Sequence, residues 1–267
     1  MRIGSIGTGN MGGAIAVAIS KSLKEGYTQR LADNCTEKAA ELANRTGADV
    51  GDNLTLAAEC DILFLGVKPQ VMPMLVEEIK DTLCRRGKEV CVVSMAAGIS
   101  LADYADMLDA DTPVIRIMPN TPVSVGEGMI LWCANGAVSD EQKQLFVELM
   151  ANAGKLDEIP EKLIDAAGCI SGCGPAFVSM FIEALADGGV LCGLPRDKAL
   201  AYAMQTLIGT ATLALETGIH PGALKDAVCS PGGTTIEGVA ALEKGGFRGD
   251  VIDAVVAAYE KTLKLTK

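Results

Sequence analysis

The sequence has few of the side chains on which metal sites and acid–base enzymes rely. Its 267 residues include a single histidine and only 4% aromatic residues. The nine cysteines are an odd number, and none of them forms the C-x-x-C pair of zinc and redox motifs. We therefore expect no metal site and no disulfide framework. Cysteines in apolar stretches such as Val90–Val93 are typical of reduced thiols in a reducing compartment.

Positive charge is also scarce. The chain has 23 lysine and arginine residues against 34 aspartate and glutamate residues, which gives a formal net charge of −11 at pH 7. A negative mean field repels phosphate backbones and anionic membrane surfaces, so we expect no nucleic-acid partner. A small-molecule substrate remains compatible with this charge, because a local site can reverse the mean field.

Uninterrupted apolar runs of membrane-spanning length are lacking as well. Mean hydropathy is positive, at +0.29. The longest uncharged runs, Ala166–Ile182 and Ala199–Leu215, are interrupted by Gly, Ser, Pro, Gln or Thr. Met1–Gly4 leads directly into a strand pattern, without an apolar signal region. The sequence therefore predicts a cytoplasmic protein with no membrane span and no cleaved signal.

Small and aliphatic residues are abundant, and up to residue 160 short apolar runs alternate with helical patterns. This alternation is typical of βαβ units with right-handed crossovers. We therefore predict an α/β fold whose N-terminal domain, residues 1–160, is a Rossmann-like doubly wound sheet. The predicted strands are Arg2–Ile6, Gln29–Asp33, Asp61–Val67, Glu89–Ser94, Pro113–Met118, Met129–Ala134 and Lys155–Ile159. The predicted helices are Met11–Lys24, Thr36–Thr46, Gln70–Leu83, Leu101–Leu108 and one from a Ser139 cap to Asn152.

From residue 161 to residue 267 the pattern becomes helical. The predicted helices are Pro175–Leu191, Arg196–Thr217, Gly222–Cys229, Thr235–Lys244 and Asp250–Leu265. The first of them and the run Ala199–Leu215 are apolar on most of their circumference, which is more than a lone surface helix buries. We expect an all-helical dimerisation domain and a homodimer or higher homo-oligomer. The alternative is a monomeric cap in which the two helices bury each other.

The sequence contains one G-x-G-x-x-G pattern directly between a predicted strand and a predicted helix. In such a loop the first glycine permits a tight turn, the second lets the backbone approach a pyrophosphate, and the third allows close helix–strand packing. The helix N-terminus adds amide donors for the phosphates. The pattern predicts a site for NADH or NADPH formed by Ile6, Gly7, Thr8, Gly9, Asn10, Met11 and Gly12.

Asp33 ends the second predicted strand, 21 residues beyond Gly12. An acidic side chain at this place accepts hydrogen bonds from the adenosine ribose and repels a 2′-phosphate, which favours NADH. Two alternatives remain: Asn34, Thr36 and Lys38 form a pocket for the 2′-phosphate of NADPH, or Asp33 caps the helix that begins near Thr36. The choice between NADH and NADPH stays open at this stage.

Four further strings follow in order along the chain. They are Val67-Lys68-Pro69-Gln70, Ser94-Met95-Ala96-Ala97-Gly98, Met118-Pro119-Asn120-Thr121-Pro122, and Ser171-Gly172-Cys173-Gly174-Pro175-Ala176 together with His220–Thr235. With the glycine loop they resemble the motifs of the pyrroline-5-carboxylate reductase family over nearly the whole chain. The resemblance implies a nicotinamide-dependent reduction of the cyclic imine Δ1-pyrroline-5-carboxylate to L-proline, the last step of proline biosynthesis. It also implies cofactor contacts from Asn53, Val67, Lys68, Pro69, Met95, Ala96, Ala97, Pro119 and Asn120, although Asn53 equally fits a solvated residue in the loop before a helix. Asn34 is a further candidate contact through the phosphate pocket described above.

The string Ser230-Pro231-Gly232-Gly233-Thr234-Thr235 is the most specific of these. The resemblance implies that the substrate carboxylate binds Ser230, Gly232, Gly233 and Thr234, and that the catalytic Thr235 faces the ring nitrogen. Adjacent glycines before a helix also favour an anion-binding nest on physical grounds. The alternative is a plain helix cap with a threonine hydroxyl. The resemblance also places Glu161 near the substrate, although it equally fits a solvated residue at a helix start.

Other readings compete with this one. A β-hydroxyacid dehydrogenase shares the glycine loop and the helical domain, but it needs a catalytic lysine on the first long C-terminal helix. The predicted helix Pro175–Leu191 has none. A nicotinamide-sensing binding protein without turnover is the alternative from another class. His220 directly precedes Pro221-Gly222 at a predicted helix start, so we expect it to lie outside the catalytic set.

Overall fold

A computed structural model describes residues 1–86 and 89–265 of the chain. Within these residues, eight strands form one sheet in the order β3-β2-β1-β4-β5-β6-β7-β8. Neighbouring strands are parallel, except β6 and β7, which are antiparallel. The strands are β1 (Arg2–Ile6), β2 (Thr28–Ala32), β3 (Asp49–Val50), β4 (Ile62–Leu65), β5 (Cys91–Ser94), β6 (Val114–Met118), β7 (Gly128–Ala134) and β8 (Gly154–Glu158).

Helices connect the strands and form the C-terminal region. Up to residue 171 they are α1 (Asn10–Ser20), α2 (Thr36–Thr46), α3 (Asn53–Glu59), α4 (Met72–Arg86), α5 (Leu101–Met107), the 3-10 helix Thr121–Val125, α6 (Asp140–Leu149) and α7 (Glu161–Ser171). The later helices are α8 (Gly174–Leu191), α9 (Arg196–Thr217), α10 (Pro221–Ala227), α11 (Thr234–Lys244) and α12 (Phe247–Leu265).

The central strands are buried on both faces, as their continuous apolar runs require. In β4, all four residues are buried. Successive side chains of a strand point to opposite faces, and accordingly Ile62 and Phe64 belong to one core cluster while Leu63 and Leu65 belong to the other. Helices cover both clusters. The carboxyl ends of the strands therefore remain accessible to a ligand.

The chain forms two compact units. The first contains Met1–Gly172 and the chain from Tyr259, and the second contains Cys173–Ala258. The predicted boundary at residue 160 differs from this division by one helix. That helix, α7, packs on β7 and is held to β6 by ion pairs from Arg116, so its packing places it with the sheet.

The second unit has a very small core of its own. Buried contacts between α8 and α9 centre on Ala186, Ala199 and Ala203. Large apolar side chains remain exposed on both helices, including Met180 at 69%, Ile208 at 59% and Leu215 at 78%. By length and composition alone, the stretch Glu161–Leu191 would suffice to cross a membrane, with a mean hydropathy of 1.5 and 11% of the apolar window buried.

The predicted fold class is confirmed, with differences in detail. The pattern predicted neither the strand Asp49–Val50 nor the helix Glu161–Ser171. It also predicted the alternation of strands without the reversal at β7. The reversal has a local cause: β6 and β7 are joined by the short 3-10 helix Thr121–Val125, which is too short to serve as a parallel crossover.

Candidate active site

The glycine loop between β1 and α1 has the backbone geometry that its sequence predicts. Gly7 has φ of +94°, a conformation that side chains with a Cβ rarely adopt. A Cβ on Gly12 would lie 2.1 Å from the Gly7 carbonyl oxygen, so the helix and the loop can approach each other only with glycine there. The loop therefore closes tightly over the end of β1.

The N-terminus of α1 is open to an anion. Its N-cap is Gly9, no side chain caps it, and its first turn has no acidic residue. A Cβ built on Gly9 meets no atom within 4 Å, so space remains beside the backbone. The first N–H groups of a helix have no intrahelical acceptors and carry positive potential. This end of α1, which includes Asn10 and Met11, thus fits the pyrophosphate of a dinucleotide.

A cavity of about 210 Å³ opens beside the loop, at the carboxyl ends of β1, β2 and β4. It brings together eight of the predicted cofactor residues: Ile6, Gly7, Gly9, Asp33, Asn34, Asn53, Val67 and Lys68. Thr8, Gly9 and Asn10 also line an adjoining cavity of about 430 Å³ that reaches Lys38 and Arg45 on α2. Pro69 lies in the turn that leads into α4.

Sequence reasoning missed five residues that line the first cavity, namely Gly66, Val71, Met74, Leu75 and Glu78. The signals were present. Gly66 directly precedes the Val67-Lys68-Pro69 string, and a Cβ there would lie 2.7 Å from the Gly7 carbonyl oxygen. The other four follow helical spacing through the start of α4, so one face of that helix is the cavity wall.

Asp33 is anchored to the glycine loop. Its Oδ2 accepts hydrogen bonds from the Thr8 backbone N–H at 2.6 Å and from Thr8 Oγ1 at 2.9 Å. Its Oδ1 accepts from the Cys35 N–H at 2.9 Å. The N-cap residue of α2 is Cys35, so the alternative in which Asp33 is itself the cap residue is wrong. Asp33 lines the cavity instead.

Asn53 begins α3 and is oriented by a carboxylate. Its Nδ2 donates to Glu78 Oε2 at 3.0 Å. A carboxylate accepts only, so this contact fixes which end of the Asn53 amide faces α4.

The loops after β5 and β6 are held by internal hydrogen bonds. The Ser94 hydroxyl contacts the Tyr104 hydroxyl and accepts from the Ala96 N–H at 3.3 Å, which fixes the start of the loop Met95-Ala96-Ala97. After Pro119, the Asn120 side chain donates to the Ser171 carbonyl at 2.9 Å and accepts from the Met129 N–H at 2.9 Å. Because both ends of its amide are used, Asn120 fixes its own loop in place.

Glu161 has structural partners. Its Oε1 accepts from the Leu101 N–H at 2.7 Å and from Arg116 Nη1 at 3.1 Å, while Arg116 Nη2 donates to Asp165 Oδ1 at 2.7 Å. Arg116 is only 3% exposed. Glu161 is therefore one of two carboxylates that neutralise a buried cation, which is a different environment from the solvated helix start considered as its alternative. Its contact with substrate remains a prediction.

The Ser230–Thr235 loop belongs to the second unit and leads into α11. Gly232 has φ of +65°, and a Cβ on Gly233 would lie 2.4 Å from Ser230 Oγ. The Gly233 N–H is already bonded to the Ser230 carbonyl at 3.0 Å, which leaves it unavailable to the predicted nest. The N-cap of α11 is Gly233, without a side-chain cap. The helix-cap alternative for Thr234 or Thr235 is thus wrong, and both residues lie in the open first turn of α11.

His220 acts as a helix cap. Its Nδ1 accepts from the Gly222 N–H at 3.1 Å at the start of α10. This role agrees with its omission from the predicted catalytic set. Helix α8 contains no lysine, so the catalytic residue of the β-hydroxyacid dehydrogenase alternative is missing there.

Two family models match the chain. One, described as pyrroline-5-carboxylate reductase dimerisation, spans residues 161–265. The other, described as NADP oxidoreductase coenzyme F420-dependent, spans residues 2–98. The first match contains the apolar helices α8 and α9, and its description agrees with the predicted dimerisation domain.

Similar proteins cover the chain from end to end. The pyrroline-5-carboxylate reductase of Escherichia coli is 42% identical over 100% of this chain and 98% of its own length. That of Pisum sativum is 41% identical, with coverage of 99% and 96%. Among solved structures, the Coxiella burnetii enzyme superposes with a TM-score of 0.90 at 32% identity, covering 99% of this chain and 98% of the other. The Plasmodium falciparum enzyme with NADP bound gives 0.87 at 31%, covering 100% and 98%.

The fold and the open glycine loop define a nicotinamide-dependent oxidoreductase with a helical dimerisation region. Identity above 40% over the full length then specifies the family. The chain belongs to the pyrroline-5-carboxylate reductase family.

Proposed function

We propose that this chain reduces Δ1-pyrroline-5-carboxylate to L-proline, with NADH or NADPH as the electron donor, and that it does so in the cytoplasm as a homo-oligomer. One observation carries the proposal: a single chain, similar over its whole length to reductases of this name, has both an open dinucleotide loop and the Ser230–Thr235 loop. The nicotinamide supplies the hydride for the imine carbon.

We divide the binding roles at residue 160. Residues 1–160 hold the dinucleotide, because the glycine loop and the cavity at the strand ends are built there. Residues 161–267 bind the substrate and associate with a second subunit, in line with the dimerisation model over 161–265. Helix α7 packs with the sheet but starts the second functional region.

The substrate carboxylate is held by backbone N–H groups at the start of α11. The amides of Thr234 and Thr235 lie in the first turn, where no side-chain cap competes with a ligand. Ser230 and Gly232 shape the turn before them, and Gly233 stabilises that turn through its bond to Ser230. The Thr234 amide belongs to the predicted carboxylate site, whereas the Thr235 amide is added to it and the Gly233 N–H is removed from it.

The Thr235 hydroxyl orients the imine nitrogen. A protonated imine is already electrophilic, so the protein needs only to align it with the donor and to favour the protonated form. The hydroxyl accepts a hydrogen bond from the iminium N–H. Once the amine has formed, the hydroxyl donates a hydrogen bond to the amine nitrogen. No metal or strong acid is needed for this step.

A direct assay tests the proposed function. The purified protein is mixed with NADH or NADPH and chemically prepared pyrroline-5-carboxylate, the decrease of the dihydronicotinamide absorbance is followed, and proline is measured by mass spectrometry. We expect consumption of dinucleotide and formation of proline in equal amounts. Binding of a dinucleotide without turnover would contradict the proposal and would favour a sensing protein instead.

A further inference from the structure

Thr8, the second residue of the glycine loop, holds the carboxylate at the end of β2. Both its backbone N–H and its hydroxyl donate to Asp33 Oδ2, at 2.6 and 2.9 Å, and the Cys35 N–H donates to Oδ1 at 2.9 Å. Three donors therefore set the position of this carboxylate. Of the three, only the Thr8 hydroxyl belongs to a side chain and can be removed by substitution.

The carboxylate faces a cavity whose charge is unfavourable for a phosphate. Asp33 and Glu78 both line it, and Lys68 is the cation among its lining residues. Glu78 is fixed by Asn53, at 3.0 Å from its Nδ2. None of the described residues that line this cavity is an arginine, and Lys38 and Arg45 line the adjoining cavity rather than this one. A 2′-phosphate would need bidentate or multiple cationic donors here, whereas a 2′-hydroxyl can donate to a carboxylate.

The environment keeps Asp33 ionised. Partial burial acts to raise its pKa, but hydrogen bonds from the Cys35 N–H and from the Thr8 N–H and hydroxyl, together with the charge of Lys38, leave the pKa below its ordinary value of 3.8. At neutral pH the group therefore carries a full negative charge. A fixed, ionised carboxylate discriminates between a hydroxyl and a phosphate more sharply than a mobile one.

We infer that this chain selects NADH over NADPH, and that Thr8 is the positioning residue for this choice. Its hydroxyl holds the Asp33 carboxylate in the place where the carboxylate accepts hydrogen bonds from the adenosine ribose. The inference rests on the proposed function to the extent that a nicotinamide dinucleotide binds the glycine loop. It goes further in two ways. It names the dinucleotide that binds, and it assigns a role to Thr8, which occupies a position of the G-x-G-x-x-G pattern where any residue is allowed.

Equilibrium binding to the full-length oligomer tests the inference without turnover. Titration calorimetry measures the dissociation constants of NADH and NADPH, and of the fragments 5′-AMP and adenosine 2′,5′-bisphosphate. We expect the unmodified protein to bind NADH at least tenfold more tightly than NADPH. In Thr8→Val, which keeps the size and the backbone N–H, this ratio should fall about fivefold, as the net contribution of one typical intramolecular hydrogen bond implies, because the other two donors still hold the Asp33 carboxylate. Thr8→Ser should restore it.

Two further variants isolate the cause. Asp33→Asn should abolish the preference, and Thr8→Val should then have no additional effect on the ratio, because the two residues act as one unit. Thr55→Val is the matched control: the Thr55 N–H donates to Asp52 Oδ1 at 2.8 Å and its hydroxyl to Oδ2 at 2.7 Å, but neither residue lines the cavity. Its ratio should equal that of the unmodified protein.

Three results would overturn the inference. Equal or tighter binding of NADPH by the unmodified protein would refute the choice of cofactor while leaving the reductase activity intact. A Thr8→Val protein with an unchanged ratio, or with equal losses for both dinucleotides, would show that the hydroxyl only supports the loop. Failure of the unmodified protein to bind either dinucleotide would also remove the proposed function, so the two failures are distinguishable.

Discussion

Arg116 carries a buried positive charge that two carboxylates of the first unit neutralise. Its side chain is 4% exposed, and it pairs with Glu161 and Asp165, which are 31% and 23% exposed. Removing the cation leaves two carboxylates facing each other at the edge of the core. An uncompensated buried charge costs about 3–5 kcal/mol, and partial exposure of the acids lowers this to about 2–4 kcal/mol.

We therefore expect Arg116→Met to lower the free energy of unfolding by about 2–4 kcal/mol. Urea denaturation at a fixed protein concentration measures it, because association adds to the apparent stability. Arg30→Met is the control: the pair of Arg30 with Glu59 is 33% and 41% exposed, so its loss should cost about 1 kcal/mol or less. Equal losses in the two variants would contradict the role of burial.

Thr235 is the residue on which the proposed chemistry depends most. Thr235→Ala should lower kcat/KM for pyrroline-5-carboxylate about ten- to a hundredfold, which corresponds to one hydrogen bond to a charged group of about 1.5–3 kcal/mol. Dinucleotide affinity should barely change, and Thr235→Ser should recover most of the rate. Because no side chain caps α11, the melting temperature should also stay within a few degrees. A stable variant with full turnover would exclude Thr235 as the orienting group.

Single residues also show where sequence reasoning reached its limit. Asp33 and Lys68 could be predicted because strand ends and motif strings mark the ligand side of a parallel sheet, whereas Asn53 was implied only by the family resemblance. The structure brings all three to one cavity. Glu78 was missed because it is two helical turns beyond its motif. The partners of Glu161 were missed because a pairing between residues 116 and 161 depends on tertiary packing, which no local pattern encodes.

At the scale of elements, the cap of α3 offers a pH-dependent test. Asp52 accepts from the Thr55 N–H and from the Thr55 hydroxyl, and these bonds lower its pKa below its ordinary value of 3.8. A group whose pKa is lower in the folded state stabilises the protein above its unfolded-state pKa. That contribution is lost as the pH falls through the lower, folded-state pKa.

Asp52→Ala should accordingly cost about 1 kcal/mol at pH 7, the usual value of an N-cap, and the difference from the unmodified protein should shrink below about pH 4. Asp52→Asn keeps an acceptor for the Thr55 N–H, so it should cost less at pH 7 and change little with pH. Urea denaturation at several pH values provides the measurement. A cost of Asp52→Ala that is constant from pH 7 to pH 3 would show that the charge has no part in the cap.

Strong local signals predicted most element positions well. Thr36–Thr46 and Arg196–Thr217 have the predicted bounds, and Ser139 with Gln142 forms the expected capping box. Elements without such signals were not predicted. Strand β3 has two residues, which is too short for any periodicity. Helix α7 was hidden by its glycine, Gly168, which is buried against Met118 and serves close packing.

At the scale of the whole molecule, composition predicted association better than any motif did. The second unit buries few large side chains within itself, and many apolar side chains of α8 and α9 are exposed in a single chain. The match of the dimerisation model to residues 161–265 agrees with this excess of apolar surface. The division into units was less predictable, because it depends on the ion pairs that bind α7 to the sheet.

The final prediction concerns this association. Light scattering should give a mass of at least twice the 27.7 kDa of one chain. Ile208 is 59% exposed in the single chain. Ile208→Glu should shift the protein toward monomer, because it places a charge in an apolar interface. Leu54→Glu makes the same change at a 48% exposed site of the first unit and should leave the mass unchanged. A strictly monomeric unmodified protein at micromolar concentration would contradict the assignment, and so would an Ile208→Glu variant that dissociates no more than Leu54→Glu.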